Sequence, residues 1–250
     1  MDHCGYHHRT ALRLSWTWNA FDSISYIYPT RDSRFTGLAK DLKFIATPLI
    51  HCFIAISDQI FSPQIVLFGP ECSGKSTLAK ALTEHYSGVL VPEYLRTYAQ
   101  DIWDTQKRVV AQQDIRSLIE GQLSAQHEGL EAAQKKAISS LFRPCPVFLD
   151  TNIHQLAVYF RYYFGSNWGQ IPPLTDKSKA QTVYLLMQPD IPWQADDLRD
   201  QPLERDALFS IFKADLIQRK AHFIEINGAH NQRMDQACKF INKIWPNLHV

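Results

Sequence analysis

The sequence predicts an α/β fold in which a mainly parallel sheet is covered by helices on both faces. Three observations carry that expectation. From Gln64 onward, short apolar runs alternate with stretches of helical spacing. The residues best suited to chemistry stand just after those runs, where open α/β sheets place their ligands. The run Gly69–Ser76 joins an apolar strand to a helix through a loop bounded by two glycines.

Each element has its own reason. Ile65, Val66, Leu67 and Phe68 make a buried strand over 64–68, and Leu78, Ala79, Ala81 and Leu82 give helical spacing over 76–86. Val89–Val91 reads as a second strand, ending in Pro92-Glu93-Tyr94. Val110, Ile115, Leu118, Ile119 and Leu123 predict a long helix over 109–137, closed by Pro144 and Pro146. Val147, Phe148 and Leu149 form a strand that ends at Asp150, and an aromatic-rich helix follows from Thr151 to Phe164. Thr182–Met187 is another strand and runs into Pro189-Asp190-Ile191-Pro192-Trp193. A helix over 203–220, a strand over His222–Ile226 and an amphipathic helix bearing Met234, Ala237, Cys238, Ile241 and Ile244 complete the pattern. There are no repeats and no low-complexity tract.

Residues 1–63 differ: Trp16, Trp18, Tyr26 and Tyr28 are mixed with His and Ser and show no sustained period. They read as an N-terminal extension, poorly ordered or loosely packed, ahead of a domain over 64–250. His3, Cys4, His7 and His8 lack a second ligand pair at zinc-finger spacing, so a metal role is not expected of them. With 250 residues, 45% hydrophobic and 20% charged, the composition is that of a globular chain. A formal net charge of +1 gives no electrostatic case for nucleic acid or an anionic membrane. The five cysteines form no C-x-x-C pair and no even disulfide framework. No run spans a bilayer and no signal peptide is evident, so a reducing, cytoplasmic setting is expected.

Gly69-Pro70-Glu71-Cys72-Ser73-Gly74-Lys75-Ser76 fits G-x-x-x-x-G-K-[ST], the phosphate-binding P-loop. Glycines at both ends let successive N–H groups converge on phosphate oxygens, and the helix that follows aims its positive end at the same anion. Lys75 would neutralise the β- and γ-phosphates of ATP, and the Ser76 hydroxyl would ligate Mg²⁺. The whole run from Gly69 to Thr77 is therefore expected to bind nucleotide. The fold class sharpens to a three-layer α/β/α P-loop NTPase, nucleoside/nucleotide kinase-like.

Asp150 stands where a Walker-B carboxylate would hold Mg²⁺ opposite Ser76; the competing reading is an N-cap for the next helix. Glu93 could accept or orient an acceptor hydroxyl, or be a surface carboxylate in a turn. Arg96 could face the same cleft. Asp190, Trp193, Asp196, Asp197, Arg199, Asp200 and Arg205 suit a lid whose arginines stabilise a transferring phosphoryl group, Arg199 first and Arg205 second. A solvated loop of mutually paired charges is the alternative. Tyr94, Tyr98, Trp103, Tyr162, Tyr163 and Trp193 could stack on a flat ring, and none stands out. Cys72 is a small side chain that fits its loop.

These pieces together give a resemblance. Residues 65 to about 245 resemble the ribosylnicotinamide kinase domain of NadR-type proteins and related stand-alone P-loop ATPase/kinase domains. The matching stretches are Val66–Ala79, Val91-Pro92-Glu93-Tyr94-Leu95-Arg96-Thr97-Tyr98, Phe148-Leu149-Asp150-Thr151, Pro189–Trp193, and Leu198-Arg199-Asp200 followed by Arg205. Asp197 stands where family members often carry Gly. The resemblance implies ATP- and Mg²⁺-dependent phosphorylation of the 5′-hydroxyl of nicotinamide riboside, a nucleoside-like small molecule. It also implies site roles for Glu93, Tyr94, Arg96 and Asp150. Residues 1–63 contain no H-x-G-H, so adenylyltransferase activity is not expected. Rival readings are a kinase for another nucleoside or alcohol, and an ATP-binding regulatory ATPase module.

Overall fold

The computed structural model describes residues 61–165, 171, 174–193 and 204–248. Five strands form one sheet: β1 (Gln64–Phe68), β2 (Val89–Val91), β3 (Val147–Asp150), β4 (Thr182–Met187) and β5 (His222–Ile226). Their spatial order is β2-β3-β1-β4-β5, and every neighbouring pair is parallel. The helices between them are α1 (Lys75–His85), α2 (Tyr94–Gln106), α3 (Ile115–Ser139), α4 (Ile153–Phe164), α5 (Asp176–Gln181), α6 (Arg205–Gln218) and α7 (His230–Ile244).

β1 lies at the centre because its residues are apolar on both faces. Val66 and Phe68 join Leu149, Tyr184 and Leu186 in a core covered by Val158 of α4 and Leu208, Phe212 and Leu216 of α6. Ile65 and Leu67 join Phe148, Leu185 and Met187 in a second core under Leu78 and Leu82 of α1 and Ala237 and Ile241 of α7. Each fully buried Val, Leu, Ile, Phe or Met among them contributes about 1.5–3 kcal/mol. The result is the three-layer α/β/α fold expected. A third, smaller cluster of Ile115, Leu118, Ile153, Leu156 and Phe160 ties α3 to α4 and supports Tyr94 and Tyr98 of α2.

The sequence-based elements correspond closely to these, with three differences. Residues 94–106 form a helix that was not anticipated, and the long helix begins at Ile115 rather than 109. Asp114 is the reason for the late start. Its carboxylate accepts from Arg108 at 2.6 and 2.8 Å and from the Ala111 N–H at 2.8 Å, which holds 108–111 outside the helix. The short α5 was also unanticipated; the Thr175 hydroxyl caps it by accepting from Ser178 N–H at 3.1 Å.

Most of the N-terminal extension lies outside the described residues. At its end, Pro63 O accepts from Val147 N–H at 2.8 Å, and the Phe61 ring sits 5.9 Å from that of Trp245. Among the described residues no helix is long and apolar enough to cross a membrane.

Candidate functional site

The chain leaves β1 at the centre of the sheet, beside the carboxyl ends of β3 and β4, and turns at once into the glycine loop. Gly69 has φ +135°, and a Cβ there would stand 2.8 Å from Met187 O, so the loop can leave the strand only through glycine. The Gly69 N–H donates to Gln155 Oε1 at 3.1 Å, which pins the start of the loop to α4. Gly74, at φ +81°, makes the second turn and opens α1. Between them the Ser73 hydroxyl donates to Pro70 O at 2.8 Å.

Lys75 is buried, and its ammonium donates to Gly69 O at 3.0 Å and Pro70 O at 2.7 Å. It is thus folded over the loop that would receive the phosphates. Ser76 and Thr77 are exposed at the start of α1, where unpaired helix N–H groups collect. Two arginines hold the loop from outside. Arg205 Nη1 donates to Cys72 O at 3.2 Å and Ile191 O at 3.0 Å, with its guanidinium 5.6 Å from the Trp193 ring. Arg233 Nη1 donates to Ser73 O at 2.7 Å.

Asp150 ends β3 directly opposite Leu67 of β1, two residues before the loop. It is buried, and its Oδ1 has no hydrogen-bond partner among the described residues. The sequence left open whether Asp150 caps the following helix. Asn152 does so instead, accepting from His154 N–H at 3.1 Å and Gln155 N–H at 3.2 Å, after a sharp turn at Thr151 with φ +76°. A buried carboxylate oxygen without a donor suits a hard cation. Among the described residues no group of three or more His, Cys, Asp or Glu could cage a metal alone.

A cavity of about 510 Å³ opens in front of the loop, within the range of small-molecule sites. Residues 71–77 form one wall, and Glu93 and Arg96 another. Glu93 immediately precedes α2 but makes no capping bond, so its carboxylate is not engaged in closing the helix. Arg96 Nε lies 3.9 Å from Glu93 Oε2. The far wall is aromatic: Trp103 of α2, and Tyr159, Phe160, Tyr163 and Phe164 of α4. Arg108, Val109 and Val110 close the rim, fixed by the Arg108–Asp114 pair. That pair, the Ala111 N–H and the Tyr98 hydroxyl draw the Asp114 carboxyl down to about 2.

The structure therefore gathers Glu71, Cys72, Ser73, Gly74, Lys75, Ser76, Thr77, Glu93 and Arg96 around one cavity. Asp150, Gly69 and Pro70 stand behind it at the strand ends. Tyr94 packs into the α2–α3 contact, its ring filling the place a Cβ on Gly121 would take. Tyr162 donates to Glu204 at 3.0 Å. Arg199, with Asp196, Asp197 and Asp200, lies outside the described residues.

Sequence reasoning missed Gln155, Arg108, Asp114 and Arg233. For Arg233 a signal existed: a cation in the first turn of a helix opposes the helix dipole and needs an outside partner.

The chain is similar in fold to two crystal structures of NadR. One, in complex with NR, gives a TM-score of 0.55 at 18% identity, covering 74% of this chain and 51% of that one. The other, in complex with NAD and AMP-PNP, gives 0.51 at 14% identity, covering 74% and 50%. The chain thus spans about half the length of these NadR chains. No curated protein matches it in sequence. Residues 64–233 match the family model described as AAA domain, and the chain belongs to that family.

Proposed function

We propose that the protein is an ATP-dependent small-molecule kinase, and that its acceptor is the 5′-hydroxyl of nicotinamide riboside, giving nicotinamide mononucleotide and ADP. The observation that carries this reading is one cavity bounded by a phosphate loop, the Glu93 carboxylate and an aromatic wall. A ring-bearing alcohol fits between the last two, with its hydroxyl toward the first.

In this mechanism the loop amides from Glu71 to Thr77 and the Lys75 ammonium grip the β- and γ-phosphates. To do so Lys75 exchanges the carbonyls of Gly69 and Pro70 for phosphate oxygens. Ser76 and Asp150 would hold Mg²⁺, which would supply charge neutralisation at the phosphates. Glu93 accepts the hydroxyl proton or fixes the hydroxyl in line for attack, and Arg96 steadies Glu93. Arg199 and Arg205 would add positive charge on the nucleotide side, and Asp150 would serve the acceptor side as well as the metal. Tyr94, packed between α2 and α3, supports the acceptor wall from behind and does not line the cavity. Catalysis rests on positioning and charge stabilisation, with no covalent intermediate.

The test is ADP release measured against a panel of nicotinamide riboside, other nucleosides, simple alcohols and no acceptor. The proposal expects release that depends on nicotinamide riboside. Release with another nucleoside alone moves the acceptor assignment. Release that no acceptor stimulates replaces the kinase by an ATPase module.

A further inference from the structure

Arg233 sits in the first turn of α7, is only 3% exposed and carries a charge that the helix dipole disfavours there. The surroundings answer that charge. Asp190, just beyond β4, pairs with Nη2 and is itself fixed by the Gly228 N–H at 2.6 Å. Three further donors go to backbone carbonyls: Nε to Gly228 O at 2.6 Å, Nη2 to Gln188 O at 3.3 Å and Nη1 to Ser73 O at 2.7 Å. One guanidinium thus ties the exits of β4 and β5 to the phosphate loop.

The bond to Ser73 has a directional consequence. In a trans peptide the C=O and the following N–H point in opposite directions. With Ser73 O turned toward Arg233, the Gly74 N–H is turned away from it, free for an anion held by the loop. The guanidinium is close enough that a Cβ on Gly74 would lie 3.6 Å from Nη1. Arg205 acts likewise one peptide earlier: by holding Cys72 O it turns the Ser73 N–H away.

We propose that Arg233 is a positioning residue for nucleotide binding, orienting the Ser73–Gly74 peptide so that its N–H serves the β-phosphate. Asp190 holds Arg233 for that task. This rests on the nucleotide-binding reading above. It differs from a packing role in a measurable way, because ADP has a β-phosphate and AMP does not.

The experiment is calorimetric titration of ADP and of AMP into wild type, Arg233→Met, Arg233→Lys and the double variant Arg233→Met/Asp190→Asn, each checked by thermal unfolding. Loss of a hydrogen bond from a charged donor predicts about tenfold weaker ADP binding in Arg233→Met. AMP binding should change by less than about twofold on the same reasoning. Arg233→Lys, which keeps the charge without the fork, should fall between. The double variant removes the unpaired carboxylate, so it should regain melting temperature without regaining ADP affinity. ADP and AMP weakening together, or ADP affinity unchanged in a folded variant, overturns the proposal. If Arg233→Met does not fold, the ADP/AMP split in Arg233→Lys decides by the same criterion. Wild-type protein that binds neither nucleotide overturns the kinase reading as well; wild type that binds ADP beside an unaffected variant overturns this proposal alone.

Discussion

Asp150→Asn should make the ligand-free protein more stable and the ligand-bound protein less so. Asp150 is 6% exposed and its Oδ1 lacks a donor among the described residues, while Asn152 performs the capping. An unsatisfied buried acceptor costs about 1–3 kcal/mol, more when charged. The amide removes the charge at constant size, so the ligand-free protein should gain about 1–3 kcal/mol by that measure. At this chain length about 3 °C accompanies each kcal/mol, so its melting temperature should rise by about 3–9 °C. Saturating Mg-ATP tells the opposite story. At a hundred times its Kd a ligand stabilises wild type by about 2.7 kcal/mol, and the variant should lose most of that increment. The assay is differential scanning fluorimetry with and without Mg-ATP, alongside turnover. A lower melting temperature without ligand, or an undiminished Mg-ATP increment, would refute the metal-ligand assignment.

Glu93→Gln should lower kcat by about 10²–10⁴-fold if the carboxylate acts as a base, with the Kd for ATP nearly unchanged. Steady-state kinetics beside equilibrium binding separates the two, and unchanged turnover removes the role. Gly69→Ala combines φ +135° with a Cβ 2.8 Å from Met187 O. Strain of about 1–3 kcal/mol, plus displacement of β4 from the loop, should lower both stability and ATP affinity. A well-folded Gly69→Ala with wild-type affinity would contradict the close approach. The Asp114 carboxyl is held at about 2 in the folded protein, below its unfolded value. The resulting stabilisation is fully present above about pH 4 and is lost as pH falls toward 2. Melting curves across that window should therefore fall more steeply in wild type than in Asp114→Asn, and parallel slopes would show the Arg108–Asp114 pair to be inert.

The strands were legible because the strands of a buried parallel sheet are short, continuous apolar runs, and the site residues because they follow those runs directly. Gly69–Thr77, Glu93 and Asp150 stand at the carboxyl ends of strands, as their spacing implied. Helix α2 was missed although Tyr94, Leu95, Tyr98 and Ile102 keep helical spacing: the stripe is short, only Ile102 is fully buried, and the helix ends at Lys107 with φ +52° rather than at a glycine. The capping question between Asp150 and Asn152 turned on two positions, since both residue types cap well. Gln155 was hidden for a different reason: its partner Gly69 lies 86 positions away, and no local pattern records such a contact. Arg233 carried the local sign of a cation early in a helix, but nothing in that sign names its partner Ser73, 160 positions away.

The central claim is that the loop amides and the Lys75 ammonium grip a triphosphate. Calorimetric titration of Mg-ATP into wild type and Lys75→Ala tests it most directly. The account predicts saturable one-to-one binding by wild type and a loss of affinity of at least tenfold, about 1.4 kcal/mol, in a folded Lys75→Ala. Equal affinity in the two proteins, or no binding by wild type, would contradict it.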